Sequence, residues 1–189
     1  MKQTKLFGDD YQPEPQILTK LDLVNAEALA LRIQGAIAPL CDKIQIVGSI
    51  RRKKATVGDI DFVVMATDAN WSKTIQALNK PQIICSGPIL IKINYPCEEK
   101  VFQADFYRAY DNNFGVQQLI RTGSVDHNIW LASYALSKGY RLKYSEGLLK
   151  DGRIVAGETE ESVFSTLGLS CPIPEERETA NGKPVWLKS

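Results

Sequence analysis

Asp59 and Asp61 are two carboxylates one residue apart, followed directly by the apolar run Phe62-Val63-Val64. β-Branched and aromatic residues favour strands, where residues two apart project from the same face. The spacing therefore sets both carboxylates side by side and turns Ile60, Phe62 and Val64 toward a core. Neighbouring carboxylates repel each other unless a cation lies between them, and oxygen ligands in this arrangement suit Mg²⁺. A third carboxylate, Asp105, lies in the run VFQADFYRA, on one face with Val101, Gln103 and Tyr107. If that strand lies beside Asp59–Met65, three carboxylates meet and form the ligand set of a two-metal phosphoryl-transfer site. In such a site Asp59 and Asp61 bridge two ions, while Asp105 completes one of them and orients or deprotonates the nucleophile.

Upstream stands the pair Gly48-Ser49, just after the strand-like Ile44-Gln45-Ile46-Val47. A tight turn there offers backbone N–H groups and a hydroxyl, which together can hold a phosphate. Arg51, Arg52, Lys53 and Lys54 add positive charge beside it. A charge run alone is usually a solvated turn, and an Asp-x-Asp pair alone is a weak signal. In combination, Gly48 to Val64 reads as a nucleoside triphosphate site with its metal.

A chain of 189 residues, 44% hydrophobic, can bury a core of its own and fits one domain, or a domain with an appendage. Its net charge of +1 lacks the marked basic excess of many nucleic-acid binders, though an acidic metal site would offset basic residues elsewhere. Cys41, Cys85, Cys97 and Cys171 form no CxxC pair. Without a signal peptide or a long apolar segment, they read as reduced thiols of a cytoplasmic protein with no membrane association. A single histidine and no clustered thiols argue against zinc.

The elements that would position these residues follow in order. Residues 1–21 read as an extended arm. An amphipathic helix is predicted over 22–40 from Leu29, Ile33, Ile37 and Leu40, with Asp22 as N-cap. A strand over Lys43–Val47, the Gly-Ser turn and a short basic segment lead to the carboxylate strand. A helix over Trp71–Leu78 and strands over Gln82–Cys85 and Ile89–Ile93 precede the strand Val101–Tyr107. Beyond it come helices over Val116–Arg121 and from Ser124 to Lys138, with Gly139 stopping the second. Two strands, Tyr140–Lys150 and Arg153–Ala156, meet at Asp151-Gly152, and Thr159 caps a last short helix. Trp130, Tyr134 and Leu136 read as the core face of the second helix and His127 as a polar residue at its start. Lys92, Lys138, Arg141 and Lys143 read as scattered surface charge that could line a nucleic-acid path. The fold class is α+β. A mixed β-sheet flanked by helices spans 22–109, and a small α/β C-terminal subdomain spans 110–189.

The stretch GSIRRKKATVGDIDFVV resembles the nucleotidyltransferase signature of the family X DNA polymerases, the group that includes DNA polymerase beta. RTGSVDHNIWLASYALSKGYRL is similar to that family's Thr-Gly-Ser stretch and the helix after it. Glu161-Ser162-Val163-Phe164, Leu167-Gly168-Leu169 and Pro174-Glu175-Glu176-Arg177-Glu178 resemble its C-terminal end. The resemblance implies a nucleotidyltransferase palm over 22–109 and a thumb-like subdomain over 110–189. It implies Asp59, Asp61 and Asp105 as the catalytic metal-binding triad for two Mg²⁺ ions, with Mn²⁺ as a substitute. Gly48, Ser49, Arg52 and Gly58 match residues that hold the triphosphate. Gly123 and Ser124 match the turn against the nucleotide sugar, and Asn128 a residue reading the minor-groove edge of the incoming base.

Departures from the family pattern shape the expectation. Ile120-Arg121 stands where an aromatic pair usually precedes Thr-Gly, so these two residues bear on sugar selection. Gln103 stands where an arginine is common. The family's lyase domain and helix-hairpin-helix clamp are expected to be absent, since 1–21 is too short to hold them. The implied activity is a DNA polymerase that adds deoxynucleotides from dNTPs to a primer 3′ hydroxyl. It would be a monomer acting on primer-template or gapped DNA, as in short-gap repair. Two alternatives remain. One is a nucleotidyltransferase that modifies a small molecule, RNA or protein, and the other is a non-catalytic binding subunit that retains the fold.

Overall fold

A computed structural model of the chain describes residues 16–17, 20–97, 100–180 and 183–184. Short strands β1 (Gln16–Ile17) and β2 (Leu21–Asp22) open it, and the remainder of the arm expected over 1–21 lies outside the described residues, apart from Lys20. Asp22 caps α1 (Leu23–Ile37), its carboxylate accepting from the Asn25 backbone N–H at 3.0 Å. Ala26, Leu29, Ala30, Ile33 and Ile37 form the buried stripe of this helix, as the 3.6-residue period requires. Then follow β3 (Lys43–Ile46), α2 (Gly48–Arg51), β4 (Thr56–Val57), β5 (Ile60–Met65), α3 (Asp68–Lys73), β6 (Gln82–Ser86), β7 (Leu90–Cys97) and β8 (Lys100–Ala109).

The sheet runs β3-β5-β8-β7-β6, with β1 joining β8 at Lys100 and Val101. β5 and β8 are parallel, and the other neighbours along this path are antiparallel. The parallel pair aligns Asp61 with Asp105, Phe62 with Phe106 and Val63 with Tyr107. Because strand faces alternate, the acids share one face and the phenylalanines the other. Phe62 and Phe106 stack at 5.1 Å between ring centres, in an apolar cluster with Ile33, Ile60, Val64, Ile91 and Ile93. On the acidic face a smaller cluster of Val47, Val63, Ala109 and Phe114 forms.

After β8 come α4 (Phe114–Thr122), α5 (Val125–Ser137), β9 (Arg141–Lys143), β10 (Gly147–Lys150), β11 (Arg153–Ala156), α6 (Glu160–Thr166), β12 (Thr179–Ala180) and β13 (Lys183–Pro184). Strands β9 to β11 form one antiparallel sheet. A second large apolar cluster gathers here around Val116, Leu119, Leu131, Leu148, Val163 and Phe164. No side-chain cap serves the start of α4. Instead Gly115 and Val116 donate to the carbonyls of Glu158 and Gly157 at 3.1 and 2.9 Å, so the loop before α6 satisfies those N–H groups. No helix among the described residues is long and apolar enough to cross a membrane.

Three expectations are corrected. The helix over Trp71–Leu78 is a helix over Asp68–Lys73, capped by Thr67, and a separate 3₁₀ turn over Ile75–Ala77. The strand over Tyr140–Lys150 is two strands with a turn between them, and Gly147 holds a φ of +137° that a side chain rarely adopts. Leu136 is not core. It is 66% exposed, because α5 buries the stripe of His127, Leu131 and Ala135 instead. His127 stands in the first turn of α5, as expected, and is fully buried there.

Two glycines give opposite expectations. Gly35 sits in α1 with nothing within 4 Å of an added Cβ, whereas a Cβ at Gly115 would overlap the Thr159 backbone. Gly35→Ala is expected to stabilise the chain by about 0.5–1 kcal/mol, and Gly115→Ala to destabilise it by about 2–3 kcal/mol or more. Urea denaturation of both variants measures this.

Candidate active site

The parallel register builds the site. Asp61 on β5 and Asp105 on β8 lie directly opposite each other. Asp59 joins them from the bend before β5, since the strand begins at Ile60 rather than at Asp59. Oxygen atoms of the three carboxylates all lie within 4.8 Å of one another. Burial and the charge of Asp105 push the Asp59 carboxyl above its ordinary range. Burial and the charges of Asp59 and Asp105 push Asp61 to about 7, against the partial relief of Arg121 and Lys92. The nearby cations do not offset the three carboxylates fully, and the all-oxygen donors suit a hard divalent cation. Gly48 leaves the room it needs. At φ +65°, its Cα comes so near β5 that an added Cβ would collide with Asp61 Oδ2.

Asp105 is provided for differently. It is 1% exposed and accepts from Gln103 Nε2 at 3.0 Å, from Tyr107 OH at 3.1 Å and from Lys92 Nζ. Lys92 stands opposite Asp105 on β7, so Lys92, Asp105 and Asp61 form a row across three strands. The scattered-surface reading of Lys92 is thereby overturned. Its sequence signal was a lysine flanked by Ile91 and Ile93 in a strand, but the partner depends on a register that no local pattern states. Burial and the nearby Asp61 and Asp105 charges push the Tyr107 phenol upward. The Arg121 guanidinium lies 3.8 Å from the centre of that ring and 5.5 Å from that of Tyr144.

The other predicted nucleotide residues divide into those without a side-chain bond among the described residues and those engaged in holding the molecule together. Ser49 Oγ is buried with no hydrogen-bond partner among the described residues. Gly58 is exposed in the bend before Asp59. Arg52 donates to the Thr122 carbonyl and lies 3.5 Å from Glu178. Gly123, at φ +74°, passes close against that guanidinium, and Ser124 caps α5 by accepting from the His127 N–H at 3.3 Å. Asn128 donates to the Ile120 carbonyl at 2.7 Å and braces α5 against the end of α4. Ile120 packs against the second apolar cluster.

The basic run also departs from a solvated turn. Arg51 makes a bidentate pair with Glu160 at 2.8 and 2.6 Å and reaches Thr122 Oγ1 at 2.8 Å. Glu160 accepts a second guanidinium, Arg177, at 2.5 Å, and both Glu160 and Arg177 are buried. Burial alone would raise the Glu160 carboxyl, but the bonds from Arg51 and Arg177 outweigh it and hold it below its ordinary range. Lys53 pairs with Glu27 and Lys54 with Glu178, each at 2.5 Å. His127 packs against Phe164, and burial with the Arg177 charge lowers its pKa to about 4.

Asp61 and His127 act on stability in opposite senses. Asp61 binds its proton more tightly in the folded chain, so its contribution is present below the ordinary carboxylate range and is lost as pH rises through about 7. His127 binds its proton less tightly when folded, so its contribution is present above 6.5 and is lost as pH falls through about 4. Without divalent ions, Asp61→Asn is expected to raise stability at pH 8 by on the order of 3 kcal/mol. His127→Leu is expected to flatten the loss between pH 6.5 and 4. Urea midpoints across pH 4 to 8 check both.

Comparison with known proteins adds to this geometry. A sequence profile of the DNA polymerase beta thumb matches residues 118–178. The chain is similar to the DNA polymerase/3′-5′ exonuclease PolX of Bacillus subtilis (strain 168), at 30% identity over 151 residues. That match covers 78% of this chain but only 26% of the bacterial protein. It is also similar to Repair DNA polymerase X of African swine fever virus. The Kenya pig isolate is 25% identical over 166 residues, 82% of this chain and 94% of the viral one. The Malawi tick isolate is 25% identical over 158 residues, 79% and 90% of the two chains.

Proposed function

This chain is a family X polymerase-like protein, and from that premise we propose that it extends a primer 3′ hydroxyl with deoxynucleotides, filling short gaps in DNA repair. The observation that carries this reading is the row of Asp61 and Asp105 in a parallel pair, completed by Asp59 and placed beside Gly48-Ser49. Asp59, Asp61 and Asp105 would hold Mg²⁺ or Mn²⁺. A divalent ion there supplies charge neutralisation for the phosphates and acidifies a bound hydroxyl.

The chain's own residues supply the rest. Asp105 accepts the proton of the primer hydroxyl, whose oxygen bonds to the α-phosphorus as the bond to pyrophosphate breaks. Ser49 Oγ, with no partner among the described residues, donates to a phosphate oxygen. Arg52 joins it after leaving the Thr122 carbonyl, so nucleotide binding is coupled to the contact between α2 and α4. Gly123 and Ser124 form the wall against the sugar. With a net charge of +1, the protein attracts duplex weakly and releases DNA after each addition.

Primer extension on gapped, templated and single-stranded substrates tests the reading. Asp59→Ala, Asp61→Ala and Asp105→Ala are each expected to reduce extension roughly 100-fold or more while the circular dichroism spectrum stays that of a folded chain. Full activity in any of the three removes the assignment. Sugar choice is a second measurable consequence. Ile120 packs against the second apolar cluster and sets no aromatic bulk against a 2′ hydroxyl, so ribonucleotides are accepted readily and Ile120→Tyr sharpens the preference for deoxynucleotides. Single-nucleotide kinetics with matched ribo- and deoxynucleotides decide it.

A further inference from the structure

The three acids are not equivalent. No hydrogen bond among the described side chains reaches the carboxylates of Asp59 or Asp61, where burial and like charge outweigh the more distant positive charges of Lys92 and, at Asp61, Arg121. Asp105 has donors on both oxygens. Gln103 occupies Oδ1, while Tyr107 and Lys92 share Oδ2. Only one of these donors is charged. It comes from the neighbouring strand, and its placement is dictated by the backbone, since Lys92 and Asp105 are register partners in a continuous antiparallel ladder from Leu90 to Cys97. The Lys92 side chain is 32% exposed, so it has an open side into which it can withdraw, while Asp105 at 2% does not.

We propose that Lys92 is a positioning residue that takes the Asp105 arm of the triad in the cation-free protein, leaving one cation site between Asp59 and Asp61 and opening a second only when its ammonium withdraws. The physical reason is competition for one pair of lone-pair directions. A lysine ammonium and a divalent ion both seek the Asp105 Oδ2 side, and two cations cannot share it at contact distance. Lys92 and Arg121 lie near Asp61 without bonding to it, so no ammonium occupies the lone pairs of Asp59 or Asp61 among the described side chains, and these two acids take an ion directly. Lys92 thus makes filling of the second site conditional on a group that draws the ammonium away, and a primer or nucleotide phosphate has the required charge. This deepens the polymerase reading and rests on it for that last step alone.

The test counts ions without DNA or nucleotide. Mn²⁺ is titrated into the whole chain at neutral pH, and free ion is read from its electron paramagnetic resonance signal. The wild type is expected to bind one Mn²⁺ per chain. Lys92→Met is expected to bind two, the second at concentrations at least tenfold below any second binding to the wild type. Lys92→Arg restores the count of one, because it keeps the cation, and Lys92→Met with Asp105→Asn also returns to one. Two ions in the wild type, an unchanged count in Lys92→Met, or a second ion that survives Asp105→Asn each overturns the proposal, as does a failure of either protein to bind. Thermal denaturation confirms that each variant is folded. Primer extension by the wild type is measured in parallel. Its absence refutes the polymerase reading whatever the ion count, and an altered count stands whether or not extension occurs.

Discussion

Two like charges held opposite each other on adjacent parallel strands are the constraint around which this fold is arranged. Asp61 and Asp105 repel, and no choice of rotamer removes both from a shared face of β5 and β8. What keeps the strands paired is the opposite face. There Phe62 and Phe106 stack in nearly parallel planes within a large apolar cluster. Burial of each such side chain contributes roughly 1.5–3 kcal/mol, enough to oppose a like-charge pair that is partly screened by Lys92. The unfavourable charge arrangement is thus sustained by apolar packing on the far side of the same sheet, and the stability given up there leaves the acids poised for an external cation.

A second charged device joins this sheet to the helices that follow. Glu160 receives Arg51 from α2 and Arg177 from the C-terminal segment, and all three are largely out of water. Desolvating such a group of ions offsets much of its attraction, so its net effect on stability is small, whereas loss of one member strands the others. Its geometric effect is larger. Arg51 belongs to the same short helix as Gly48 and Ser49, so the placement of α6 and of the turn beside the acids is set through one carboxylate. Arg52, the residue that ends the same helix, adds a contact to Thr122, one residue before Gly123.

Much of this was legible in the chain because it is written in local patterns. The Asp-x-Asp spacing and the period of two in VFQADFYRA placed Asp61 and Asp105 on strand faces, with Asp59 in the bend just before, and Asp22, Ser124 and Thr159 marked helix starts by the chemistry of capping. The illegible parts share a cause. Lys92 looked like surface charge because its partner is set by strand register, and Arg51 looked solvated because Glu160 lies far along the chain. Leu136 looked buried because its side chain is apolar, and only the docking of α5 selects which stripe turns inward. The place of His127 at the start of α5 was legible, but its burial was not, since it follows from the same docking.

The contact between Gly48 and Asp61 makes the two positions dependent on each other in descent. An ancestor that already carried the carboxylate on β5 could accept a side chain at 48 only by displacing that carboxylate, since a Cβ would meet Asp61 Oδ2. A lineage that first lost the carboxylate would face only the backbone strain of φ +65° and could fill the space. Once filled, that space bars the acid's return until the earlier change is undone. Loss of Asp61 can therefore become irreversible through a neighbour with no chemistry of its own, and a glycine at 48 records that this has not happened here.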